Sequence, residues 1–306
     1  MRLLVVGAGS TGGYFGGRLA AAGRDVTFLV RQARAAQLEA TGLRIVSPCG
    51  DVSLPPKLLT AGQISEHFDA ILLGVKAYSL ESAIADIAPA VGPETTILPV
   101  LNGMLHVDVL TARFGKPAVA GCVCKISASL DGEGRILHLG KFHGLIYGEM
   151  DGDITSRLRR LDAFMQNAGF DARLSPAIEH EMWEKWTMLA TLAGVTCLMR
   201  GSIGEIVAAP GGGEFINRLL DEVVAVVTAA GLAPRKASLA ETRALLTAPG
   251  SAFTASMFRD MRQGGRIEAD QIVGDLLERG RRAGVDAPSL ALAYTHLKVY
   301  ENRHPA

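Results

Sequence analysis

The first thirty-one residues constrain the fold more than any other stretch of this chain. An apolar run at 3–6 leads into a G-x-G-x-x-G formed by Gly7, Gly9 and Gly12, and a second apolar run lies at 26–30. Gly7 permits a tight strand-to-helix turn, Gly9 lets the backbone approach a pyrophosphate, and Gly12 lets the helix pack closely on the strand. The unpaired N–H groups at the helix start face the phosphates. This context predicts a dinucleotide-binding βαβ unit, with a purely structural turn as the alternative.

The residues of this loop that we expect to contact the cofactor are Gly7, Ala8, Gly9, Ser10, Thr11 and Gly12. The end of the second apolar run indicates which dinucleotide it is. NAD-binding folds place an acid about twenty residues after the motif, but this chain has Arg31, and its next acid is Glu39. A guanidinium donates paired N–H groups to a 2′-phosphate and offers no acceptor to a ribose diol. NADPH is therefore expected rather than NADH, and a solvated surface arginine is the alternative.

Composition argues against several classes of protein. The 306 residues are 48% hydrophobic and 20% charged, which suffices for one large domain or two smaller ones. Lys plus Arg and Asp plus Glu both total 31, so no basic field indicates a nucleic-acid or membrane partner. We also expect no signal peptide and no membrane span, because no apolar run approaches the roughly twenty residues that a span requires.

The cysteines and histidines show no spacing typical of a disulfide framework or a metal site. Cys49, Cys122, Cys124 and Cys197 form no C-x-x-C pair, and the seven histidines are scattered without an H-x-x-x-H. We therefore expect a reducing, cytoplasmic location and no metal ion.

Strand and helix signals divide the chain into two parts. Residues 1 to about 120 alternate strand and helix, which predicts an α/β fold with an open, doubly wound parallel sheet of the Rossmann type. Residues 126–149 have short alternating runs broken by turn residues, as antiparallel hairpins do. Three continuous apolar runs are typical of parallel strands that are covered on both faces; they lie at 70–75, 97–101 and 118–123.

Strand signals stop near Pro176, and helical patterns follow. We therefore expect a nucleotide-binding domain over 1–175, an all-helical substrate and catalytic domain over 176–306, and a cleft between them. Exposed faces on the long C-terminal helices are compatible with a homodimer. The predicted helices cover 178–198, 214–229, 236–246, 253–262 and 268–283.

Three polar residues are candidates for chemistry. Ligands of open α/β sheets bind beyond the carboxyl ends of the strands, where Lys76 and Asn102 follow apolar runs. Lys185 lies in an apolar helical stripe, whereas Glu181 and Glu184 occupy another arc. Burial would lower the pKa of this lysine, which suits a general acid beside a hydride-transfer site. The alternatives are solvated strand-end residues and a lysine that extends to solvent. The stripe contains Ile178, Met182, Leu189, Leu192 and Ala193.

Taken together, these motifs resemble the ketopantoate reductase family, whose members are 2-dehydropantoate 2-reductases. The matches follow the family's order along essentially the whole chain. They are the glycine loop, Lys76 in GVKAY, Asn102 in LNGM, Lys185 in WEKW and the segment SMFRDMRQGGRIEAD at 256–270. The resemblance implies a Rossmann-type N-terminal domain, a helical C-terminal domain and NADPH-dependent reduction of a 2-keto acid.

The resemblance also implies a role for each matching residue. Lys185 corresponds to the catalytic lysine that protonates the forming alkoxide, and Asn102 to the residue that touches both nicotinamide and substrate. Lys76 corresponds to a lysine on the cofactor side, Ser256 to a serine that contacts the substrate, and Glu268 to an acid near the cofactor ribose.

Departures from the family pattern leave the substrate open. Leu189, Ala193 and Ile203 stand where better-known members have asparagines that hold the substrate's polar groups, and cysteines at 122 and 124 replace threonines. Each lost pocket hydrogen bond is worth about 0.5–1.5 kcal/mol.

These departures predict a more apolar substrate wall. The default function is reduction of 2-dehydropantoate to pantoate in pantothenate biosynthesis. One alternative is reduction of a more apolar 2-oxo acid. Another is a non-catalytic NADP sensor, which would have no need of Lys185, Ser256 or Glu268.

Overall fold

The computed structural model describes residues 1–304, which fall into two compact units. Unit 1 comprises residues 1–101 and 106–179, and unit 2 comprises residues 102–105 together with the chain from 180 onward. Within the described residues, no helix has the length and hydrophobicity that crossing a membrane requires.

The strands all belong to unit 1, and they form two sheets. One sheet is parallel throughout, in the order β5-β2-β1-β6-β7, and confirms the doubly wound α/β class. The second sheet is mixed, in the order β10-β9-β3-β4, and β8 pairs with β9. The strands are β1 (Arg2–Val6), β2 (Asp25–Leu29), β3 (Leu43–Val46), β4 (Val52–Leu54), β5 (Lys57–Leu59), β6 (Ala70–Leu73), β7 (Thr96–Pro99), β8 (Gly121–Leu130), β9 (Ile136–Gly148) and β10 (Asp171–Leu174).

The helices of the described chain lie in both units. Short 3₁₀ turns occur at Ala77–Ser79, Ala88–Ala90 and Lys116–Ala118, and a π-helical turn covers Asp270–Gly274. The α-helices are α1 (Ser10–Ala21), α2 (Gln32–Thr41), α3 (Leu80–Ile87), α4 (Leu105–Phe114), α5 (Ser156–Met165), α6 (Ile178–Met199), α7 (Ile203–Ala208), α8 (Gly212–Ala229), α9 (Lys236–Leu246), α10 (Ser256–Arg262), α11 (Asp275–Arg282) and α12 (Pro288–Arg303).

The prediction of a parallel strand at 118–123 is wrong. Only Val119 reaches the parallel sheet, through a single bridge to Ile97, and the chain then enters β8 of the second sheet. The competing partner is β9, with which β8 pairs antiparallel along nearly its whole length. Asp131 closes the turn of this hairpin, because its carboxylate accepts hydrogen bonds from the backbone N–H of Glu133 and Arg135 at 3.0 and 2.8 Å. The region expected to contain short hairpins is therefore one long hairpin.

Helix α1 lies between the two sheets, and its glycines allow the close approach on both sides. A Cβ at Gly16 would lie 2.7 Å from the Phe28 ring of the parallel sheet. A Cβ at Gly17 would lie 2.6 Å from Leu43 of the second sheet. The helix that begins at the glycine loop is therefore buried in the middle of unit 1.

Unit 2 contains helices, of which α6 is the most deeply packed. The sequence predicts one apolar stripe on this helix, but its middle is buried on nearly every side. Polar residues on the other faces are accommodated locally: the hydroxyls of Thr187 and Thr191 donate to carbonyls one turn earlier, at 2.9 Å. Glu184 is also buried, in an ion pair with Arg235. The sequence predicts a single apolar stripe because polar residues are expected to face solvent, whereas several polar residues of α6 are buried.

Candidate active site

The cofactor candidates in unit 1 follow the carboxyl ends of adjacent strands. The register places Val6 of β1 opposite Leu29 of β2 and Leu73 of β6, so these strands end in one row. The glycine loop begins one residue beyond this row, and Arg31 and Lys76 follow within two and three residues. Parallel strand ends beside such a loop form the binding edge of doubly wound folds.

The geometry of the loop separates the tasks of its three glycines. Gly7 has φ +89°, which favours glycine, and a Cβ at Gly12 would lie 2.3 Å from the carbonyl oxygen of Gly7. A Cβ at Gly9 would meet no atom within 4 Å. The surface above Gly9 is thus open, as close approach of a phosphate to the backbone requires, whereas Gly7 and Gly12 shape the turn itself. Ala8 is buried beneath the loop, and Ser10 and Thr11 open α1 in partly exposed positions.

A fourth glycine, Gly74, packs against this turn from the segment after β6, and sequence reasoning missed it. A Cβ at Gly74 would lie 2.9 Å from the Cα of Gly12, so the chain directly after β6 touches the loop backbone to backbone. The sequence feature that could have indicated this contact is a glycine directly after the apolar residues 70–73.

The two arginines beyond β2 have different surroundings. Arg31 is exposed at the N-terminal end of α2, and its Nη2 donates to Ser79 Oγ at 3.2 Å. Arg34 is half-buried, and its Nε donates to the carbonyl oxygen of Ala8 in the loop at 3.2 Å. Burial lowers the pKa of the Arg34 guanidinium. Arg34 therefore supports the loop, and Arg31 is the arginine with a surface open to a ligand.

In unit 2 the structure brings Lys185 and Asn102 together. Lys185 lies on α6 and Asn102 follows β7 by three residues, and both side chains are half-buried. Lys185 Nζ donates to Asn102 Oδ1 at 3.1 Å. An ammonium only donates hydrogen bonds, so this contact also fixes the orientation of the Asn102 amide. The pair places a cationic proton donor and an amide side by side.

The residues on either side of Lys185 are anchored. Glu184 accepts hydrogen bonds from Arg235 Nε at 2.8 Å and Nη2 at 2.5 Å. Burial alone would raise the pKa of Glu184, but the bonds from Arg235 outweigh burial and hold that pKa below its ordinary value. Trp186 donates its indole N–H to the Ile272 carbonyl at 2.8 Å. The backbone that carries Lys185 is thus held from two directions.

Arg279 adds a further anchor for this segment. Its guanidinium lies 5.5 and 5.7 Å from the ring centroids of Trp183 and Trp186. Cation–π contacts of this kind stabilise a pair of aromatic rings in a fixed arrangement. The WEKW segment is therefore a lysine framed by three anchored residues.

Ser256 and Glu268, the two remaining candidates, also lie in unit 2. Ser256 is the exposed first residue of α10. Glu268 is a buried carboxylate two residues before the π-helical turn, and its carbonyl accepts from the Ile272 N–H at 3.1 Å. The helix predicted over 268–283 is thus interrupted by this turn, which helical periodicity did not reveal.

Only one residue of the predicted apolar substrate wall has appreciable exposed surface. Leu189 is half-buried, whereas Ala193 and Ile203 have 2% and 0% of their surface exposed. Of the three, Leu189 is the side chain that a ligand can contact without rearrangement of the packed interior.

The fold gathers histidines that look scattered in the sequence. Ligand-type atoms of Cys49, His138 and His143 lie within 4.8 Å of one another in unit 1. Tyr14 hydroxyl lies 2.6 Å from His143 Nδ1, and Ser47 Oγ lies 2.8 Å from His138 Nδ1. These bonds engage the imidazoles in a polar network that surrounds the buried Tyr14 on α1.

Two further observations indicate that His138 and His143 are hydrogen-bonded core residues. His138 Nε2 lies 3.2 Å from the carbonyl oxygen of Phe142, which requires a proton on that nitrogen. Burial, followed by the neighbouring His138 and Arg18, lowers the pKa of His143. A lowered pKa favours the neutral imidazole, which suits a hydrogen-bonded core.

The cysteines are free thiols. Cys49 is exposed, and Cys122, Cys124 and Cys197 are buried. Burial raises the pKa of the Cys197 thiol to about 12, and such a thiol is chemically inert.

Comparisons with known proteins match both parts of the chain to one family. Residues 3–152 match the family model described as ketopantoate reductase PanE/ApbA, and residues 177–301 match its C-terminal counterpart. An uncharacterized oxidoreductase of Bacillus subtilis, YkpB, is 39% identical over 98% of this chain and 99% of its own length.

Solved structures share the same fold. A 2-dehydropantoate 2-reductase from Geobacter metallireducens is 28% identical, with a TM-score of 0.88 over 98% of this chain and 99% of that chain. A D-mandelate dehydrogenase, solved with NADH and anilino(oxo)acetate, is 20% identical, with a TM-score of 0.89 over 99% of each chain.

Proposed function

Because the chain belongs to the ketopantoate reductase family and is an oxidoreductase of that type, we propose that it reduces a 2-keto acid to a 2-hydroxy acid with NADPH. The default substrate is 2-dehydropantoate and the product pantoate, as in pantothenate biosynthesis. The observation that carries the proposal is the 3.1 Å hydrogen bond between Lys185 Nζ and Asn102 Oδ1, because it joins the two residues that the reaction most needs.

Lys185 has the chemistry that a carbonyl reduction demands. Negative charge develops on the carbonyl oxygen of the substrate, and an ammonium stabilises that charge and then supplies the proton. The bond to Asn102 and the anchored residues Glu184 and Trp186 restrict the positions that the ammonium can take. Asn102 thereby orients the lysine, and its amide N–H would donate to the bound ligand.

A nicotinamide cofactor follows from the family, and the residues of unit 1 suit one. The open space above Gly9 and the backbone contact between Gly7 and Gly12 form a cradle that a side chain would fill. The loop residues Gly7–Gly12 would hold the pyrophosphate at the start of α1. Lys76 and Glu268 are proposed as further cofactor contacts, and Ser256 as a substrate contact. When bound, the nicotinamide supplies the hydride.

NADPH is proposed over NADH because of Arg31. Its exposed guanidinium lies at the end of β2, where NAD-binding folds place an acid. Two N–H groups on a planar guanidinium match a phosphate. Arg34, which is bound to the Ala8 carbonyl, is less available for this task.

A second candidate function is reduction of a more apolar 2-oxo acid. Leu189 favours it, because a half-buried apolar residue on α6, one turn after Lys185, offers no hydrogen bond to a substrate hydroxyl. The D-mandelate dehydrogenase of the same fold was solved with anilino(oxo)acetate, and in that protein the scaffold accommodates an aromatic oxo acid.

A substrate panel distinguishes the two functions. NADPH oxidation by the purified protein is measured with 2-dehydropantoate, with its unhydroxylated counterpart 3,3-dimethyl-2-oxobutanoate, and with phenylglyoxylate. The highest kcat/KM for 2-dehydropantoate supports the default substrate, and a preference for the two apolar acids supports the second candidate. Absence of turnover on every keto acid, with NADPH still bound, contradicts both.

We also propose that the protein forms a homodimer through the exposed face of α12. Leu292 and Val299 lie two turns apart on that helix, and 58% and 43% of their surfaces are exposed. Sedimentation of the wild type and of Leu292→Glu tests this, since a dimer at this face dissociates in the variant. A monomeric wild type, or a variant that stays dimeric, contradicts it.

A further inference from the structure

We propose that Gln271 is a positioning residue of this enzyme, and that it acts by holding Asn102 beside Lys185. The proposal rests on the proposed function, in which Lys185 and Asn102 carry the chemistry. It goes beyond that function because it assigns a task to Gln271 in the π-helical turn Asp270–Gly274, one residue after the segment 256–270 that matches the family pattern.

The first observation is a direct bond from Gln271 to the main chain of Asn102. Gln271 is 4% exposed, and its Nε2 donates to the Asn102 carbonyl oxygen at 2.8 Å. A buried amide–carbonyl bond is expensive to leave unmade, because both groups would lose their partner away from water. The backbone of Asn102 is thus tied to the π-helical turn at this point.

A second close contact joins Gly103 to the backbone of Gln271. A Cβ at Gly103 would lie 2.4 Å from the backbone carbonyl oxygen of Gln271, and Gly103 has φ +79°. Both the space and the backbone conformation at this position require glycine. Residues 102 and 103 therefore rest on the main chain of Gln271 while its side chain holds them.

The next residue of the π-helical turn holds the other member of the pair. The Ile272 carbonyl accepts the indole N–H of Trp186 at 2.8 Å, and Trp186 directly follows Lys185. Two consecutive residues of one turn thus bind the segment of Asn102 and the segment of Lys185. This one turn therefore contacts the segments of both catalytic candidates.

The turn is itself fixed from its outer side. Asp270 accepts a hydrogen bond from the Tyr294 hydroxyl at 2.6 Å and from Lys298 Nζ at 3.1 Å, both on α12. A π-helical turn contains one residue more than a regular turn and occurs frequently at functional sites. Its irregular backbone persists only where surrounding contacts hold it in place, as Asp270, Gln271 and Ile272 do here.

The test uses Gln271→Met in the full-length protein. Methionine keeps the volume of glutamine but cannot donate to the Asn102 carbonyl. We expect kcat to fall about 10- to 100-fold, since a small misplacement of a reacting group has an effect of this size, while the Kd for NADPH stays unchanged. Gln166→Met is the matched control, because Gln166 Nε2 also donates to a backbone carbonyl, that of Ala172 at 3.1 Å; its kcat should equal that of the wild type.

A double-mutant cycle with Asn102→Ala shows whether Gln271 acts through Asn102. In the Asn102→Ala background, Gln271→Met should change kcat by less than about twofold, because the group that it positions is already absent. An equal fold-loss in both backgrounds, or a folded Gln271→Met with wild-type kcat, overturns the proposal. If the methionine variant does not fold, Gln271→Glu keeps the shape and, once ionised, also has no proton to donate; wild-type kcat at pH 8 would overturn the proposal equally.

Hydrogen–deuterium exchange gives a readout that does not depend on activity. Peptides that cover 102–105 should exchange faster in Gln271→Met than in the wild type, and peptides from the parallel sheet should not. Unchanged exchange at 102–105 overturns the proposal even if no substrate is turned over. Faster exchange in a protein without keto acid turnover supports Gln271 and contradicts the proposed function, so the two failures are distinguishable.

Discussion

Arg235 forms a two-pronged ion pair with Glu184, the residue directly before Lys185 in the chain. The carboxylate is buried, and about half of the Arg235 side chain is exposed. Arg235→Ala would leave a buried carboxylate without its partner, so the free energy of unfolding should fall by roughly 1–3 kcal/mol, toward the lower end because solvent screens the arginine. Urea denaturation at pH 7 measures the loss.

The same pair has a predictable dependence on pH. Because the folded pKa of Glu184 lies below its ordinary value, its stabilising contribution is present above the ordinary carboxyl range and is lost as pH falls through the folded pKa. The difference between wild type and Arg235→Ala should therefore shrink in acid. Arg282→Ala, which breaks an exposed pair with Glu278, should change stability by less than about 1 kcal/mol. An equal loss in both variants would contradict this assignment.

Gly9 and Gly12 should respond differently to the same substitution. Gly9→Ala places its methyl group in open space, so stability should change by less than about 0.5 kcal/mol, while the Kd for NADPH rises at least tenfold. Gly12→Ala drives a methyl group against the Gly7 carbonyl and should lower the free energy of unfolding by about 1–3 kcal/mol. Thermal unfolding and NADPH fluorescence titration measure both effects. Wild-type NADPH affinity in Gly9→Ala would remove this loop from the binding site.

Arg31→Ala should reduce the preference for NADPH over NADH by about 10- to 100-fold, the range expected for a lost bond between a guanidinium and a phosphate. The Kd values of both cofactors are compared with those of Arg113→Ala, which removes another exposed arginine of unit 1. An unchanged ratio of the two Kd values would place the 2′-phosphate elsewhere.

Leu189 and Ala193 should also behave differently when asparagine replaces them. Leu189→Asn adds an amide at a partly exposed position and should raise kcat/KM for 2-dehydropantoate by about tenfold, the value of one good hydrogen bond. Ala193→Asn forces a polar group into packed interior and should lower the free energy of unfolding by about 1–3 kcal/mol. No gain from Leu189→Asn would show that substrate choice depends on other residues.

The parts of the structure that sequence predicts well are those set by short-range chemistry. The glycine loop and the helix Lys236–Leu246 are fixed by neighbours in the chain, and the structure has both. The expected strand at 118–123 failed because its partner is chosen over a distance: β9 competes for it with the parallel sheet.

The candidate site shows the same division. Strand ends and an apolar helix pointed to Lys76, Asn102 and Lys185, and the structure bonds Asn102 to Lys185. Gln271 was missed because its partner, the Asn102 carbonyl, lies 169 residues away in the chain, where no local sequence pattern can indicate it. The neighbourhood of Cys49, His138 and His143 was missed because those residues meet only when the two segments of the second sheet pair.

The most direct test of this account is the effect of removing the Lys185 side chain. Stopped-flow oxidation of NADPH by the preferred keto acid is compared in the wild type, in Lys185→Ala and in Lys141→Ala, an exposed lysine of unit 1 that serves as the control. We expect kcat to fall by about 10²–10⁴-fold in Lys185→Ala only, as for loss of a general acid, while its Kd for NADPH stays within about twofold of the wild type. Wild-type turnover by Lys185→Ala, or a loss of NADPH affinity that accounts for the whole loss of rate, would contradict it.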